Sequence, residues 1–387
     1  MKALIIGGGI GGLTAAIALR RVGVDVCVFE QSPELREAVA GLKLWSNATR
    51  ILDRLGISSK LRHCSATLGA GEIRNSSGKL LTRIPFEPLS RDGGNSVLGI
   101  HRADLLRLLA EQLPTECIFT SHRLDSFSQD PNFVTAKFAN GNKIDGDFLV
   151  GADGIHTVVR TQILGDPPRY CGYLGWRGIG SMDAAGIDPH LSVWSYGRGA
   201  QFGLIPIDSS RVFWFATTTL PESEIERLGP PKEELLRRFS EWSRPIPEFL
   251  DSLNPDSVLV TPIYDRHPAA TWGRGRVTML GDAAHATSPT LGQGACLAIE
   301  SAFALAKHIE AAGHAIPALR SYETERQTRT ERIIRLSRQI GAAIQWKQPL
   351  ACWLRDQLIW ATPSRLHLTV LRSIISTGLI PLEPKCA

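Results

Sequence analysis

The sequence predicts an α/β fold in which a domain of parallel strands and helices is interrupted by a mainly antiparallel β-sheet domain and followed by C-terminal helices. A short apolar run, a glycine cluster and a helical segment follow one another at the N-terminus. Two later apolar runs, 148–152 and 276–280, end beside an aspartate and a glycine. Residues 66–99 and 170–267 instead contain short β-like segments, punctuated by glycines in the first stretch and rich in aromatic residues in the second.

The N-terminal segment predicts a dinucleotide site. Residues 2–6 are an apolar run typical of a strand buried in a parallel sheet, and Gly7, Gly9 and Gly12 fill the pattern G-x-G-x-x-G. The first glycine permits the turn out of the strand, the second lets a pyrophosphate approach the backbone, and the third lets the next helix pack closely. Glu30 follows the second strand, where a carboxylate can accept hydrogen bonds from ribose hydroxyls. These residues leave FAD and NAD open as alternatives.

Length and composition favour a soluble globular protein of about two or three domains. The chain has 387 residues, of which 43% are hydrophobic and 21% charged, with a formal net charge of +5. Basic and acidic residues are interleaved, which argues against nucleic acid as the main partner. The seven cysteines never show C-x-x-C spacing, as expected for free thiols in a reducing compartment. We therefore expect a cytoplasmic protein without a signal peptide, and no metal-ligand spacing is present.

Two further motifs lie at the ends of predicted strands. Asp153-Gly154 and Gly281-Asp282 each follow an apolar run, and ligands of open α/β sheets bind at the carboxyl ends of such strands. The order of elements predicts a discontinuous nucleotide-binding domain and a sheet domain inserted into it. The expected boundaries are 1–65, 100–168 and 269–330 for the nucleotide-binding domain, 66–99 and 169–268 for the sheet domain, and 331–387 for a C-terminal helical region.

With these motifs the chain resembles the single-component FAD-dependent aromatic hydroxylases of the para-hydroxybenzoate hydroxylase type, over nearly its whole length. Residues 149–160 are similar to the segment associated with FAD and NAD(P)H pyrophosphates, with Thr157 in place of the usual serine. Residues 280–294 are similar to the flavin-ribityl segment. Urate hydroxylases, salicylate hydroxylases and zeaxanthin epoxidases are similar as well. The resemblance implies a Rossmann-like FAD-binding domain, a substrate-binding sheet domain and C-terminal helices.

The resemblance also implies which residues bind the cofactor. Asp282 is expected on a ribityl hydroxyl, Arg102 against the flavin, and residues 292–296 along the ring edge. Arg36 and Lys43 belong to a segment similar to the family's loop over the flavin, with Lys43 where a small polar residue is usual. The predicted FAD-binding residues are Gly7, Gly9, Gly11, Gly12, Glu30, Gln31, Arg36, Lys43, Arg102, Leu124, Asp153, Asp282, Pro289, Gly292, Gln293, Gly294, Ala295 and Cys296.

The same resemblance implies the reaction. NADH or NADPH would bind transiently and reduce FAD, O2 would form a flavin C4a-hydroperoxide, and an aromatic or heteroaromatic small molecule would be hydroxylated. Pro289, Gln201 and Arg198 are the predicted catalytic residues, with Pro289 beside the ring. Gln201 stands where we align the ring-binding arginine of urate hydroxylases, which argues against urate. Epoxidation of an isoprenoid or other alkene, and a flavin-dependent dehydrogenase without oxygen insertion, remain alternatives.

Side chains of the sheet domain are the predicted substrate contacts, and alternation along the strands decides which of them face the flavin. His285 lies within the flavin segment, and we interpret it as a structural residue. The candidate substrate contacts are Trp176, Arg177, Tyr196, Arg198, Gln201, Phe202, Phe213 and Trp214.

Two C-terminal features complete the sequence. Residues 317–344 predict a long helix, whose arginines and glutamates we interpret as a solvated face. The tail carries Trp346, Trp353 and Trp360, followed by an apolar run over 366–380 that is too short to span a bilayer. It could cap the pocket, pack against the nucleotide domain or lie on a membrane. We expect packing rather than membrane contact, and a monomer or homodimer.

Overall fold

A computed structural model describes residues 1–35, 40–91 and 96–376. In this part of the chain the strands are β1 (Lys2–Ile6), β2 (Asp25–Phe29), β3 (Gly41–Leu44), β4 (Ser65–Leu68), β5 (Ala70–Asn75), β6 (Leu80–Pro85), β7 (Val97–His101), β8 (Ile118–Phe119), β9 (Leu124–Gln129), β10 (Val134–Phe138), β11 (Lys143–Gly146), β12 (Phe148–Gly151), β13 (Arg169–Ser181), β14 (Leu191–Tyr196), β15 (Ala200–Pro206), β16 (Arg211–Thr219), β17 (Leu259–Asp265) and β18 (Val277–Met279).

The helices over the same residues are α1 (Ile10–Arg21), α2 (Ser46–Arg54), α3 (Ser58–His63), α4 (Glu87–Arg91), α5 (Arg102–Ala110), α6 (Val158–Leu164), α7 (Met182–Ala185), α8 (Pro231–Phe239), α9 (Ile246–Ser252), α10 (Asp282–His285), α11 (Gly294–Ala312), α12 (Ala315–Ile344), α13 (Pro349–Ala361) and α14 (Ser364–Ile375). The predicted α/β fold class is confirmed.

The N-terminal strand lies at the centre of a parallel sheet with strand order β18-β12-β1-β2-β8. It pairs in register with β12 on one side and with β2 on the other. Leu4 and Ile5 are completely buried, because α1, itself covered by α11, packs on the sheet and Gly146 of β11 lies against Leu4. Burial on both faces explains why the sequence of this strand is a continuous apolar run. The sheet therefore brings the ends of β1, β2, β12 and β18 to one edge.

A second, mainly antiparallel sheet has strand order β17-β13-β16-β15-β14-β5-β6. It combines strands from the glycine-punctuated segment 66–99 with strands from the aromatic segment 170–267. The two sets are joined where β5, residues 70–75, pairs in parallel with β14, residues 191–196. One face packs on α8 and α9 through a cluster that includes Trp176, Phe202 and Trp214. The opposite face carries Phe213 and Phe215, which pack against the core of the parallel-sheet domain.

A short sheet with strand order β3-β7-β4 lies between the two larger ones. Its close approach to the antiparallel sheet depends on glycine: a Cβ on Gly99 would lie 1.9 Å from the carbonyl oxygen of Pro206, and a Cβ on Gly41 would lie 2.2 Å from the Cβ of Phe213. These two glycines let β3 and β7 rest directly on the antiparallel sheet. β3 is thereby held against the antiparallel sheet.

The interpretation of α12 as a solvated charged face is wrong for several residues. Arg326 and Glu323 are buried, with 1% and 6% of their surfaces exposed. Arg326 and Arg329 form ion pairs with Glu300 of α11, and Arg338 pairs with Asp265 at the end of β17. The partners come from distant parts of the sequence, so the pattern of charges within α12 could not indicate them.

The C-terminal tail forms α13 and α14, which both contact β6. The expectation that the tail packs holds for Leu368 and Ile375, which are buried in the main core, but not for its tryptophans: Trp346, Trp353 and Trp360 are 43%, 57% and 57% exposed. Across the described residues, no helix combines the length and apolar character needed to cross a membrane.

Candidate active site

The glycine-rich turn between β1 and α1 has the geometry of a phosphate site. Gly7 has a φ of +109°, and a Cβ there would lie 2.3 Å from the carbonyl oxygen of Ala152. A Cβ on Gly12 would lie 1.9 Å from the carbonyl oxygen of Gly7, so only glycine allows α1 to pack this closely. Gly9 has open space at its Cβ position, and α1 has no side-chain cap at its N-terminus. The free N–H groups of the first turn can therefore receive a phosphate.

Glu30 lies beside this turn at the end of β2. Its Oε2 accepts a hydrogen bond from the Gly8 N–H at 2.9 Å, and its Oε1 accepts one from the Ser32 N–H, also at 2.9 Å. The two bonds fix the carboxylate next to the phosphate site, and each oxygen keeps a lone pair that a ribose hydroxyl could use. Gln31, the next residue, is exposed.

The end of β12 places Asp153 at the start of α6. Its Oδ2 accepts hydrogen bonds from the Val158 and Val159 N–H groups at 2.8 and 3.3 Å. Its Oδ1 is buried without a partner among the described residues. Burial raises the pKa of Asp153, although the hydrogen bond from Thr157 and those from the backbone oppose the shift. One oxygen of this carboxyl group therefore holds the helix, and the other is left for a ligand.

Arg160 joins the second and third motifs. This completely buried side chain pairs with Asp166 at 2.6 Å and donates hydrogen bonds to the carbonyl oxygens of Ala283 and Ala284 in α10. The segment after β12 and the segment after β18 are thus held together by a charge-assisted network.

Asp282 opens α10, directly after Gly281 with its φ of +63°. Its side chain is accessible to solvent, but the surrounding protein raises its pKa, while the positive charge of Arg102 opposes that rise. Arg102, at the start of α5, donates its backbone N–H to the carbonyl oxygen of Ala40. The structure therefore brings these two predicted residues together beside the segment that precedes β3.

The loop from Pro289 to the first turn of α11 is fastened to β3. The indole Nε1 of Trp45 donates to the carbonyl oxygen of Leu291 at 3.2 Å, and the Trp45 N–H donates to Cys296 Sγ at 3.5 Å. Burial raises the pKa of the Cys296 thiol to about 12, so this cysteine is a neutral packing group. The start of α11 has no side-chain cap, which leaves N–H groups of its first turn, at Gly294 to Cys296, to bind negative charge.

Lys43 occupies an aromatic cage that sequence reasoning did not foresee. Its ammonium lies 4.0 Å from the ring centroids of Trp45 and Trp194 and 4.8 Å from that of Phe86. Lys43 is 7% exposed, and its Nζ has no hydrogen-bond partner among the described residues. Burial lowers the pKa of Lys43 well below its ordinary value, and Cys296 opposes the shift. Attraction to the rings would offset part of the cost of burying the protonated form.

A buried polar network contacts the loop that runs from Pro289 to the first turn of α11. Glu300 of α11 accepts hydrogen bonds from Arg326 and Arg329 of α12 at 2.6–2.7 Å, and from Asn47 at 2.6 Å. Asn47 also donates to the Oε1 of Gln293 at 3.1 Å, while the Gln293 Nε2 is buried without a partner among the described residues. The sequence feature that could have indicated this network is Glu300 itself, a charged residue inside the otherwise apolar first half of α11.

The predicted catalytic residues occupy different environments. Pro289 is exposed in a short 3-10 turn just before Gly292, and Gln201 is buried on β15 between Tyr196 and Thr217 in the register of the sheet. Arg198 is exposed at the tip of the hairpin that joins β14 to β15. The structure therefore does not place Arg198 in the interior with Gln201.

Alternation divides the predicted substrate contacts. Trp176, Phe202 and Trp214 face α8 and α9, so they are core residues on the side away from β3. Strand register puts Arg177, Tyr196, Gln201 and Phe213 on the opposite face.

Tyr173, which the sequence did not single out, is on that same face. Burial raises its pKa to about 12, while hydrogen bonds with Ser288 and Thr290 of the Pro289 loop oppose the shift. Its hydroxyl thus connects the antiparallel sheet to this loop.

The remaining predicted residues have simpler positions. Leu124 is buried in the core on β9, and Gly11 packs against Leu280 and Ala298. Arg36 lies outside the described residues.

His285 is buried, forms a hydrogen bond with Ser301 at 3.0 Å and has its pKa lowered to about 3 by burial, which supports a structural role. In the described ranges no group of three or more His, Cys, Asp or Glu side chains could hold a metal ion.

The donors and open spaces at this sheet edge fit FAD. An uncapped helix N-terminus with room at Gly9 suits the pyrophosphate, and the Glu30 carboxylate beside it suits the adenosine ribose. The Asp282 carboxyl lies near Arg102 and could bind a ribityl hydroxyl, and the uncapped first turn of α11 suits the electron-rich edge of a flavin ring. The order of these groups, from β2 to α11, follows the order of the parts of FAD.

Comparison with known proteins gives similarities over most of the chain. The family model described as an FAD binding domain matches residues 1–337. The aurachin C monooxygenase/isomerase of Stigmatella aurantiaca is 35% identical over 360 residues, covering 93% of this chain and 94% of that protein. The FAD-dependent urate hydroxylase of Klebsiella pneumoniae is 32% identical over 337 residues, covering 86% of this chain and 88% of that protein. The crystal structure of Klebsiella pneumoniae HpxO complexed with FAD and uric acid is similar with a TM-score of 0.89 and 28% identity, covering 97% of this chain and 96% of that one.

Proposed function

The chain belongs to the family of FAD-dependent monooxygenases, and from this premise we propose that it uses NADH or NADPH and O2 to hydroxylate an aromatic or heteroaromatic small molecule. One oxygen atom of O2 enters the substrate and the other leaves as water, with the nicotinamide as the electron donor. The observation that carries the proposal is the meeting of β1, β2, β12 and β18 at one edge, next to a face of the antiparallel sheet. We further propose a cytoplasmic monomer or homodimer.

Bound FAD would supply the redox chemistry, which protein side chains cannot supply. The chain's own residues bind and orient it. The N–H groups of the first turn of α11 would stabilise negative charge at the ring edge. The positive charge of Arg102 favours the carboxylate form of Asp282, which would accept a hydrogen bond from the cofactor. Pro289 is proposed to line the space in which oxygen and substrate meet.

The substrate is proposed to lie against the inner face of the antiparallel sheet. Phe213 and Phe215 contribute apolar surface there, and Gln201 contributes a neutral amide. Such a face can exclude water, which would otherwise divert activated oxygen to hydrogen peroxide. A neutral glutamine at position 201 favours an aromatic ring other than urate, because it lacks the charge of the arginine with which we align it.

Lys43 is proposed to stabilise negative charge on the ring edge. Burial lowers the pKa of this caged amine well below its ordinary value, so negative charge formed on the nearby flavin would favour its protonated form, and a low dielectric strengthens the attraction between the two charges. The expected result of Lys43→Met is a lower reduction potential of the bound flavin, measured by dye equilibration. Lys60→Met, at an exposed lysine, is the control and should leave the potential unchanged.

The decisive experiment is purification followed by a substrate panel. We expect a yellow protein whose NADPH or NADH consumption rises with one class of phenolic, heteroaromatic or isoprenoid compound, with ¹⁸O from ¹⁸O2 in the product. Stimulated oxidation without ¹⁸O in the product would instead identify a dehydrogenase. Absence of FAD after gentle purification would contradict the proposal itself.

Two substitutions locate the cofactor. Glu30→Ala and Asp282→Ala should each weaken FAD binding by about tenfold or more, because each removes a carboxylate proposed to bond a cofactor hydroxyl. Asp25→Ala, at the exposed other end of β2, is the matched control and should leave FAD affinity unchanged. Affinity is measured by titrating FAD into apoprotein and following flavin fluorescence. Unchanged affinity in Glu30→Ala and Asp282→Ala would remove these residues from the site.

A further inference from the structure

Large apolar side chains on the surface are concentrated in the C-terminal helices. Among the described residues, Leu350 and Leu358 are 68% and 67% exposed, and Trp353 and Trp360 are each 57% exposed. Isolated exposed hydrophobic residues are ordinary, but a contiguous group marks an interaction site. We name this group, with Leu354 and Leu366, the C-terminal apolar surface.

The orientation of α13 is fixed by its polar side. Leu350, Leu354 and Leu358 recur every four residues and so form one stripe along the helix. On the inner side, the buried Arg355 donates hydrogen bonds to the carbonyl oxygens of Gly197 and Ile344 at 3.1 and 3.0 Å. The helix cannot roll its leucines inward without breaking these charge-assisted bonds.

The charges around this surface are mostly positive. Lys347 and Arg365 are exposed in this C-terminal segment, and Asp356, the one acidic residue in the sequence of 346–376, pairs with Arg355 at 2.9 Å. The Lys79 ammonium also lies 5.2 Å from the ring centroid of Trp360. Tryptophan and leucine with flanking lysine and arginine are typical of helices that lie in the interface of an anionic bilayer.

We propose that the C-terminal apolar surface binds an anionic lipid membrane, with α13 and α14 lying on the bilayer surface. A second copy of the chain is a poorer occupant. A two-fold symmetric interface would pair this patch with itself, so Lys347 and Arg365 of one copy would approach a surface that carries the same excess of cations. A membrane containing acidic lipids complements both the apolar stripe and the cations.

The test is cosedimentation of the full chain with phosphatidylcholine vesicles, with and without phosphatidylglycerol, at low and high salt. The wild type should bind the anionic vesicles, more weakly as salt rises. The variant Trp353→Ser/Leu354→Ser/Leu358→Ser should partition about tenfold less or lower. Phe133→Ser/Val260→Ser, at apolar residues exposed elsewhere, is the matched control and should bind like the wild type.

A second measurement separates the membrane from self-association. Light scattering without lipid should give the same oligomeric state for the wild type and the triple variant, and circular dichroism should show the same fold. The proposal is overturned if the wild type does not bind vesicles, if the triple variant binds as well as the wild type, or if the triple variant dissociates a dimer that has no affinity for vesicles.

Discussion

Helices α12 and α13 follow one another in the chain but distribute polar and apolar residues in opposite ways. α12 carries Arg326, which is 1% exposed and paired with the buried Glu300, whereas α13 presents Leu358, which is 67% exposed. In each helix the face is selected by partners elsewhere: a carboxylate on α11 in the first, and the carbonyl oxygens of Gly197 and Ile344 in the second. A helical pattern therefore identifies stripes, but not which stripe is buried.

The largest expected effect comes from breaking the buried ion cluster beside α12. Glu300→Gln should lower the free energy of unfolding by about 3–5 kcal/mol, because the buried Arg326 and the partly buried Arg329 lose their negative partner. The measurement is urea denaturation followed by circular dichroism. Glu331→Gln, on the exposed side of α12 where Glu331 pairs with Arg335, should cost less than about 1 kcal/mol. Equal losses in the two variants would contradict the contrast between the two sides of the helix.

Acid should produce part of the same loss without a mutation. Burial by itself raises the pKa of Glu300, but Arg326 and Arg329 outweigh it and hold the pKa below the ordinary value of 4.5. The stability that this carboxylate contributes is therefore complete above pH 4.5 and is lost as the pH falls through the lowered pKa. Denaturation curves of the wild type and Glu300→Gln should converge as the pH falls below 4.5, and a constant difference would argue against this linkage.

Removing the polar contacts on the inner side of α13 should lower the free energy of unfolding by less than Glu300→Gln does. Arg355→Met keeps much of the side-chain volume but leaves the Gly197 and Ile344 carbonyl oxygens without their donor, at a cost of about 1–3 kcal/mol. Arg355→Met should also speed up amide hydrogen exchange in residues 349–361, relative to the wild type, more than it does in α11. Lys347→Met, at an exposed lysine beside the same hairpin, is the control, and similar exchange in both variants would show that Arg355 does not fix the helix.

The smallest expected effect is on the outer side of α13. Leu358→Ser should change the free energy of unfolding by no more than about 0.5 kcal/mol, since this leucine is already in water. Ile333→Ala, at a completely buried position of α12, should cost about 2–5 kcal/mol in the same assay. A large loss in Leu358→Ser would mean that the outer face of α13 is packed inside the protein.

The parts of the site that the sequence predicts are those set by local constraints. Gly7 is required by its positive φ and Gly12 by a contact with Gly7 inside the same turn, and Glu30 and Asp282 are placed by the ends of apolar strands. Their place in the sequence, directly after predicted parallel strands, was enough to predict that they lie at the ligand-binding edge, because parallel strands end at a common edge.

Other parts depend on contacts between distant segments. The cage around Lys43 combines Trp45, Phe86 and Trp194 from different elements, and no spacing in the sequence relates them. The same is true of Glu300, whose partners lie on α2 and α12. Strand alternation in the antiparallel sheet became informative only when register showed which residues share a face.

The central place of β1 has a consequence for how the chain acquires its structure during synthesis. β1 leaves the ribosome long before its neighbour β12, which begins at residue 148, and β18 completes that side of the sheet only at residues 277–279. β5 likewise waits for β14, more than a hundred residues later. β1 and β5 can pair early with β2 and β6, but each lacks its other neighbour for much of translation, a state that exposes a strand edge to chaperones and slows folding.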